Sequence, residues 1–289
     1  MQSKTGTDST VTSGTTQVAK TTIANIKSAA IKVLHITDSH LSEDPEGSLL
    51  GVNTRDSLDA VLTRVAQDAV DPDYILATGD LAQDASKAAY EYFQSKLESY
   101  ACPKSWFAGN HDDRSAMASV VAAGQELRKV VRIGTWQFVL LDSSVPGKTH
   151  GFLEQSELDV LDAALAERPD LHTLVCLHHH PIAIDSRWLD RIGLHNRDAF
   201  LSIIDNYSNV RAILWGHIHQ QLDQLRGDVN LYATPSTCIQ FLPKSDDFAV
   251  EDVAPGYRWL HLYDDGSIDT VVKRAEQFKF DIDMTSSGY

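Results

Sequence analysis

From residue 31 onward, apolar positions follow two alternating rhythms. Runs of strand length at 31–37, 74–78, 105–108, 136–141, 173–177 and 210–215 each give way to polar or glycine positions. Between the early runs, Leu58, Val61, Leu62, Val65, Ala66 and Ala69 recur at helical spacing behind Thr54, which can cap a helix. Amphipathic patterns at 86–97, 158–165 and 199–207 predict further helices, and one after Asp112 fits as well. Strand, helix, strand, helix, strand is the order of an α/β fold. The last third changes character. Segments 222–225, 230–233, 257–263 and 267–272 read as strands, with Asp264-Asp265-Gly266 as the turn between the last two.

Residues 1–28 are rich in Ser and Thr and lack periodicity, which predicts a mobile extension. No repeat or linker divides residues 29–289, so one domain is expected there. Composition is that of a globular chain, and its length suffices for a substantial core. A formal charge of -15 argues against nonspecific binding to nucleic acid or to an anionic membrane. An anionic substrate would need local positive charge, which bound cations can supply. Cys102, Cys176 and Cys238 are far apart and form no C-x-x-C pair; a free, buried thiol is expected at Cys176. No membrane-spanning run and no signal-peptide-like run occur, so a cytoplasmic protein is expected.

The strand ends carry the chemistry. Asp38-Ser39-His40, Gly79-Asp80, Gly109-Asn110-His111-Asp112, His178-His179-His180-Pro181 and Gly216-His217-Ile218-His219 each follow a short apolar run. Open α/β sheets place ligands at such ends. A lone histidine after a strand is usually structural, but five segments alike in type and position point to metal ions. On extended backbone, residues i and i+2 share a side, so Asp38 with His40, and His217 with His219, are each expected to converge. Asp80 is the natural carboxylate to bridge two metals. His35, His150, His172 and His261 lack such company and are read as structural or surface residues; His195 lies in a loop that can approach the site.

In order, these motifs form the signature that identifies the chain as resembling the calcineurin-like metallophosphoesterases. Leu49-Leu-Gly-Val-Asn53, Ala77-Thr-Gly-Asp-Leu-Ala-Gln-Asp84, Ala233-Thr-Pro-Ser-Thr-Cys238 and Ser287-Gly-Tyr289 narrow the likeness to class III bacterial 3′,5′-cyclic-AMP phosphodiesterases. The resemblance implies a four-layer α/β/β/α sandwich with a dinuclear centre between two sheets. It implies one metal on Asp38, His40, Asp80 and His219, and another on Asp80, Asn110, His178 and His217. His179 remains the alternative to His178. Nitrogen and oxygen donors without cysteine suit Fe, Mn or Zn, and the resemblance points to Fe with Mn, Zn being possible.

The implied reaction is hydrolysis of 3′,5′-cyclic AMP to 5′-AMP, with Asp80 and His111 as catalytic residues. His40, Asn110, His111 and His219 are the expected substrate contacts. The sequence leaves oligomeric state open. His111 is placed to protonate the leaving oxygen or to contact the phosphoryl group. Asp112 either orients His111 or caps a helix. Trp188, Leu189 and Asn196 either border the base or pack within their own loop, and by resemblance Asn53 contacts substrate or bound phosphate. The same metal core also serves phosphatases and other diesterases. A nucleotide-binding regulator without turnover is the rival outside enzymes.

Overall fold

In the computed structural model, the described residues are 30–121, 128–286 and 288. The expected extension at 1–28, and Ser287 and Tyr289 of the C-terminal motif, lie outside them. In chain order the first half comprises β1 (Ile31–Ile36), β2 (Ser48–Leu49), β3 (Val52–Asn53), α1 (Thr54–Gln67), β4 (Tyr74–Ala77), α2 (Lys87–Leu97), β5 (Lys104–Trp106), α3 (Arg114–Val120), β6 (Val130–Ile133) and β7 (Trp136–Leu140). The second half comprises α4 (Gln155–Glu167), β8 (His172–Cys176), α5 (Arg187–Asp190), α6 (Arg197–Ile204), β9 (Val210–Trp215), β10 (Leu222–Arg226), β11 (Val229–Ala233), β12 (Gln240–Phe241), β13 (Val250–Glu251), β14 (Gly256–Leu262) and β15 (Ile268–Arg274).

Two large sheets result, ordered β15-β14-β1-β4-β5 and β10-β11-β9-β8-β7-β6. β1, β4 and β5 run parallel, while β14 lies antiparallel to β1 and β15 antiparallel to β14 at one side. Alternate strand residues explain the layering. Val33, Tyr74, Leu76, Leu174, Leu214 and Leu260 meet in a core shared by strands of both sheets. Their neighbours Leu34, Ile75 and Ala77 pack with α1 and α2 residues, and Val175 and Ile213 pack with α4 and α6 residues. Each sheet is thus apolar on both faces, and helices cover the outer ones. Such continuously buried strands read as apolar runs rather than as alternation, which is why the sequence marked them clearly.

Three helix starts show what the side chains decide. Asn53, not Thr54, caps α1: its Oδ1 accepts from the N–H groups of Arg55 and Asp56 at 3.0 Å. Its Nδ2 donates to Pro45 O at 2.9 Å, which ties the start of α1 to the loop before β2. Ser86, expected as the first residue of a helix, instead caps α2, accepting from Ala89 N. Asp113 rather than Asp112 caps α3, accepting from Ala116 N at 2.8 Å. Leu58, Val61 and Val65 of α1 are buried, each stabilising the fold by about 1.5–3 kcal/mol. Ala66 and Ala69 are exposed. α1 is tied to β14 and β15 through Asp68, which accepts from Tyr257 Oη, Trp259 Nε1 and Lys273 Nζ.

Candidate active site

The strands β1, β4 and β5 of one sheet and β8 and β9 of the other end at a common place. Asp38 and His40 follow β1, Asp80 follows β4, Asn110 and His111 follow β5, His178 follows β8, and His217 and His219 follow β9. Asp38, His40, Asp80, His217 and His219 all have left-handed backbone, with φ from 46° to 65°. Such residues cost about 1–3 kcal/mol each and gather where surrounding structure imposes them. The expected extended geometry is therefore corrected: the chain turns sharply at these positions. Asp38 and His40 still converge, together with His219, but His217 points away from its near neighbour to join His178 and His179.

Hydrogen bonds fix the direction in which each imidazole presents its lone pair. His178 Nδ1 donates to Thr78 O at 2.8 Å, His219 Nδ1 to Ile239 O at 2.9 Å, and His217 Nε2 to Ile192 O at 3.0 Å. His40 Nδ1 donates to Gln83 Oε1 at 2.6 Å. The other nitrogen of His40, His217 and His219 is thereby a lone pair turned inward, and that of His178 faces the same centre. His40 Nε2 and His219 Nε2 face one another at 3.1 Å, and His178 Nε2 stands 3.2 Å from Asn110 Oδ1 and 3.1 Å from Asp80 Oδ2. Among the described residues His217 Nδ1 is buried without a hydrogen-bond partner. Lone pairs aimed at each other in a dry site are unfavourable unless cations stand between them. The donors therefore fit two metal ions.

Charge agrees with this reading. Burial, then the neighbouring histidines, hold His217 and His179 well below the ordinary imidazole value, and burial lowers His40 to about 3. These rings are neutral at physiological pH, as ligation requires. His178 differs: burial would lower it, but the Asp80 carboxylate beside it raises it to about 9. A proton there occupies a position that a cation would take. Burial would raise Asp80, yet His178 and His111 hold it well below the carboxylate range.

Glycine lets these loops close together. A Cβ on Gly79, whose φ is +99°, would lie 2.6 Å from Gly109 N and 2.7 Å from His178 Nδ1. Asp112 then joins the loops: it accepts from Gly109 N, Leu81 N, Ala82 N and Tyr90 Oη at 2.9, 3.2, 3.0 and 3.0 Å. Asp112 thus does not cap α3; it holds the turn that carries His111. The His111 N–H donates to Asp80 Oδ1 at 2.8 Å, and its ring sits edge-on to His40 with centroids 5.0 Å apart. Its ring nitrogens approach the cluster closely enough to group with His40 and Asp80.

The remaining expectations divide. His35 is buried and structural, bonded to Thr234 Oγ1 at 2.6 Å and Thr78 Oγ1 at 2.8 Å. His172 bonds Asp264 O, and His261 is half-buried on β14. His150 does have company, because its ring stacks on His195 at 3.8 Å. Leu189 is buried, Trp188 packs edge-on to Phe241 and Phe248, and Asn196 brackets the Leu153 backbone. These side chains thus pack on neighbouring segments, and Phe241 in turn stacks on the ring of His219, with centroids 4.1 Å apart. His179 sends Nδ1 to Ser143 Oγ at 2.8 Å, whereas His178 Nε2 is the one that meets Asn110. Sequence reasoning missed the partners Thr78 O, Ile192 O and Ile239 O, because a backbone carbonyl has no residue signature. Gln83 was within a quoted motif, where its type alone gave it no role.

Comparison with known proteins converges on the same segments. A family profile described as calcineurin-like phosphoesterase matches residues 31–221. The 3′,5′-cyclic adenosine monophosphate phosphodiesterase CpdA of Pseudomonas aeruginosa is 43% identical over 261 residues, covering 90% of this chain and 96% of that protein. A 3′,5′-cyclic-nucleotide phosphodiesterase of a Nostoc species is 38% identical, covering 84% and 92%. A solved purple acid phosphatase from yellow lupin seeds aligns with a TM-score of 0.63 at 13% identity, covering 89% of this chain and 53% of that one. At that identity the likeness speaks for the fold alone.

Proposed function

Because the chain belongs to the calcineurin-like phosphoesterase family, we propose that it hydrolyses 3′,5′-cyclic AMP to 5′-AMP at the clustered aspartates and histidines. The observation that carries this reading is the 43% identity to a cyclic AMP phosphodiesterase over nine-tenths of the chain. Family membership implies a dinuclear metal centre, and the inward lone pairs fit one. Asp38, His40 and His219 would hold one ion and Asn110, His178 and His217 the other, with Asp80 between them. Fe with Mn is the working pair, since the donors are nitrogen and oxygen with no thiolate, and Zn suits the same set. Among the described residues, Cys102, Cys176 and Cys238 are free, which supports a reducing, cytoplasmic setting.

When bound, two such ions supply positive charge for the phosphoryl oxygens and lower the pKa of a water. The chain supplies the rest. Water oxygen joins phosphorus and releases a proton to solvent as the bond to the 3′-oxygen breaks; His111 gives that oxygen its proton and regains one from solvent. The N–H of His111 on Asp80 Oδ1 keeps this ring beside the reacting centre. Asn110, His40 and His219 contact the phosphoryl group, and Asp112 positions the turn that carries Asn110 and His111. Metal-loaded protein tested on cyclic AMP, cyclic GMP and p-nitrophenyl esters decides the substrate. The highest kcat/KM is expected on cyclic AMP. A preference for the monoester would instead make the chain a broader phosphoesterase.

A further inference from the structure

A groove of about 410 Å³ opens directly beside Asn110 and His111. One wall is the turn after β5 and the start of α3, including Arg114 and Ser115; the other is the loop after β7, including Ser144, Val145 and Pro146. The volume falls in the range of clefts that take small ligands, roughly 300–1,000 Å³. We propose that this groove receives the nucleoside half of the cyclic nucleotide, with Arg114 as a specificity-determining residue. The inference rests on the cyclic AMP reading above and deepens it.

Both ester oxygens of a 3′,5′-cyclic nucleotide belong to one ribose. Sugar and base must therefore extend from phosphorus on the side of the leaving oxygen, and His111 stands on that side. Arg114 is held across the groove from its own wall to the other. Its Nε lies 2.7 Å from Asp142 Oδ2 and 3.1 Å from Ser144 Oγ, and its Nη2 donates to Ser144 O at 2.5 Å. The guanidinium plane is thus fixed, while the side chain remains 46% exposed. A fixed, accessible guanidinium is a platform for a purine face. Val145 and Pro146 add apolar surface, and Ser115 and Ser144 add hydroxyls for ribose or base edges. Trp188, the competing candidate, packs edge-on to Phe241 and Phe248 and does not line this groove.

The test compares cyclic AMP with methyl p-nitrophenyl phosphate, a diester that has no nucleoside, using the full metal-loaded protein. Arg114→Ala removes the platform, and Ser115→Trp fills the groove while leaving the bonds of Arg114 in place. Both variants are expected to raise KM for cyclic AMP about tenfold or more, while kcat/KM for the aryl ester stays within about twofold. Unchanged KM for cyclic AMP in Ser115→Trp overturns the groove. So does a selective rise in KM for cyclic AMP on Trp188→Ala that neither groove variant produces. Wild-type protein that turns over the aryl ester but not cyclic AMP refutes the substrate reading instead, so the two failures are distinguishable.

Discussion

Gly109→Ala adds a single methyl group where the loops after β4 and β5 meet, and it tests whether their spacing sets the metal centre. The new Cβ would stand 2.5 Å from Asp80 N and 2.2 Å from Asp80 Oδ1. Gly109 is absent from the left-handed positions, so alanine brings no backbone penalty and the effect is steric. Asp80 N is main chain and cannot rotate away. Restoring an ordinary contact of about 3.5 Å requires the loops to part by about 1 Å. That moves the proposed bridging carboxylate away from Asn110 and strains the bond from His111 N to Asp80 Oδ1. A misplacement of this size costs about a hundredfold in rate, and overpacking costs about 1–3 kcal/mol in stability. The assay is kcat on cyclic AMP beside elemental analysis and urea denaturation. At least one ion should be lost per chain. Gly227→Ala is the control: Gly227 has φ +58° with nothing within 4 Å, so about 1 kcal/mol is lost and kcat is unchanged. Gly109→Ala retaining two ions, with kcat within about threefold of wild type, refutes the reasoning.

Asp80→Ala should abolish both activity and metal binding, and finding two ions per chain in this variant would remove the bridging assignment. His111→Ala should keep its metal but lose about a hundredfold or more in kcat on cyclic AMP. The loss should be smaller on bis-p-nitrophenyl phosphate, whose leaving group hardly needs a proton; equal losses would argue for phosphoryl contact alone. Asp68 supplies a test of stability. Burial would raise its pKa, but hydrogen bonds from Lys273, Tyr257, Trp259 and Arg64 hold it at about 2. Its contribution is full above its unfolded value near 4, and is lost as pH falls from there through about 2. With solvent screening this amounts to about 1–2 kcal/mol, so Asp68→Asn should lower the urea midpoint at pH 7 and the gap should narrow toward pH 3. A gap that stays constant over that range would count against it.

Strand runs and the residues at their ends were legible in the sequence because strands buried on both faces must be apolar, and chemistry at a sheet edge must follow them. The five polar segments at those ends could therefore be named, while the choice of Asn110, and of His178 over His179, came from the family resemblance. What the sequence could not supply was direction. Left-handed turns at Asp38, His40, Asp80, His217 and His219 re-aim each side chain, and such turns at non-glycine residues leave no local signature. They persist because the sheets hold the chain on either side, and the carbonyls of Ile192 and Ile239 anchor the rings of His217 and His219. Asp112 and Asp113 make the same point side by side. Both are acidic residues before a helix, but only tertiary packing left Asp113 to cap α3 and buried Asp112 among the N–H groups of two loops. The last third shows it at the scale of the fold. Pattern identified β10, β11, β14 and β15, yet β10 and β11 extend one sheet while β14 and β15 extend the other. β14 finds its partner β1 at the other end of the chain, with Ile31 opposite Leu262, so that pairing depends on the assembled core rather than on any local run.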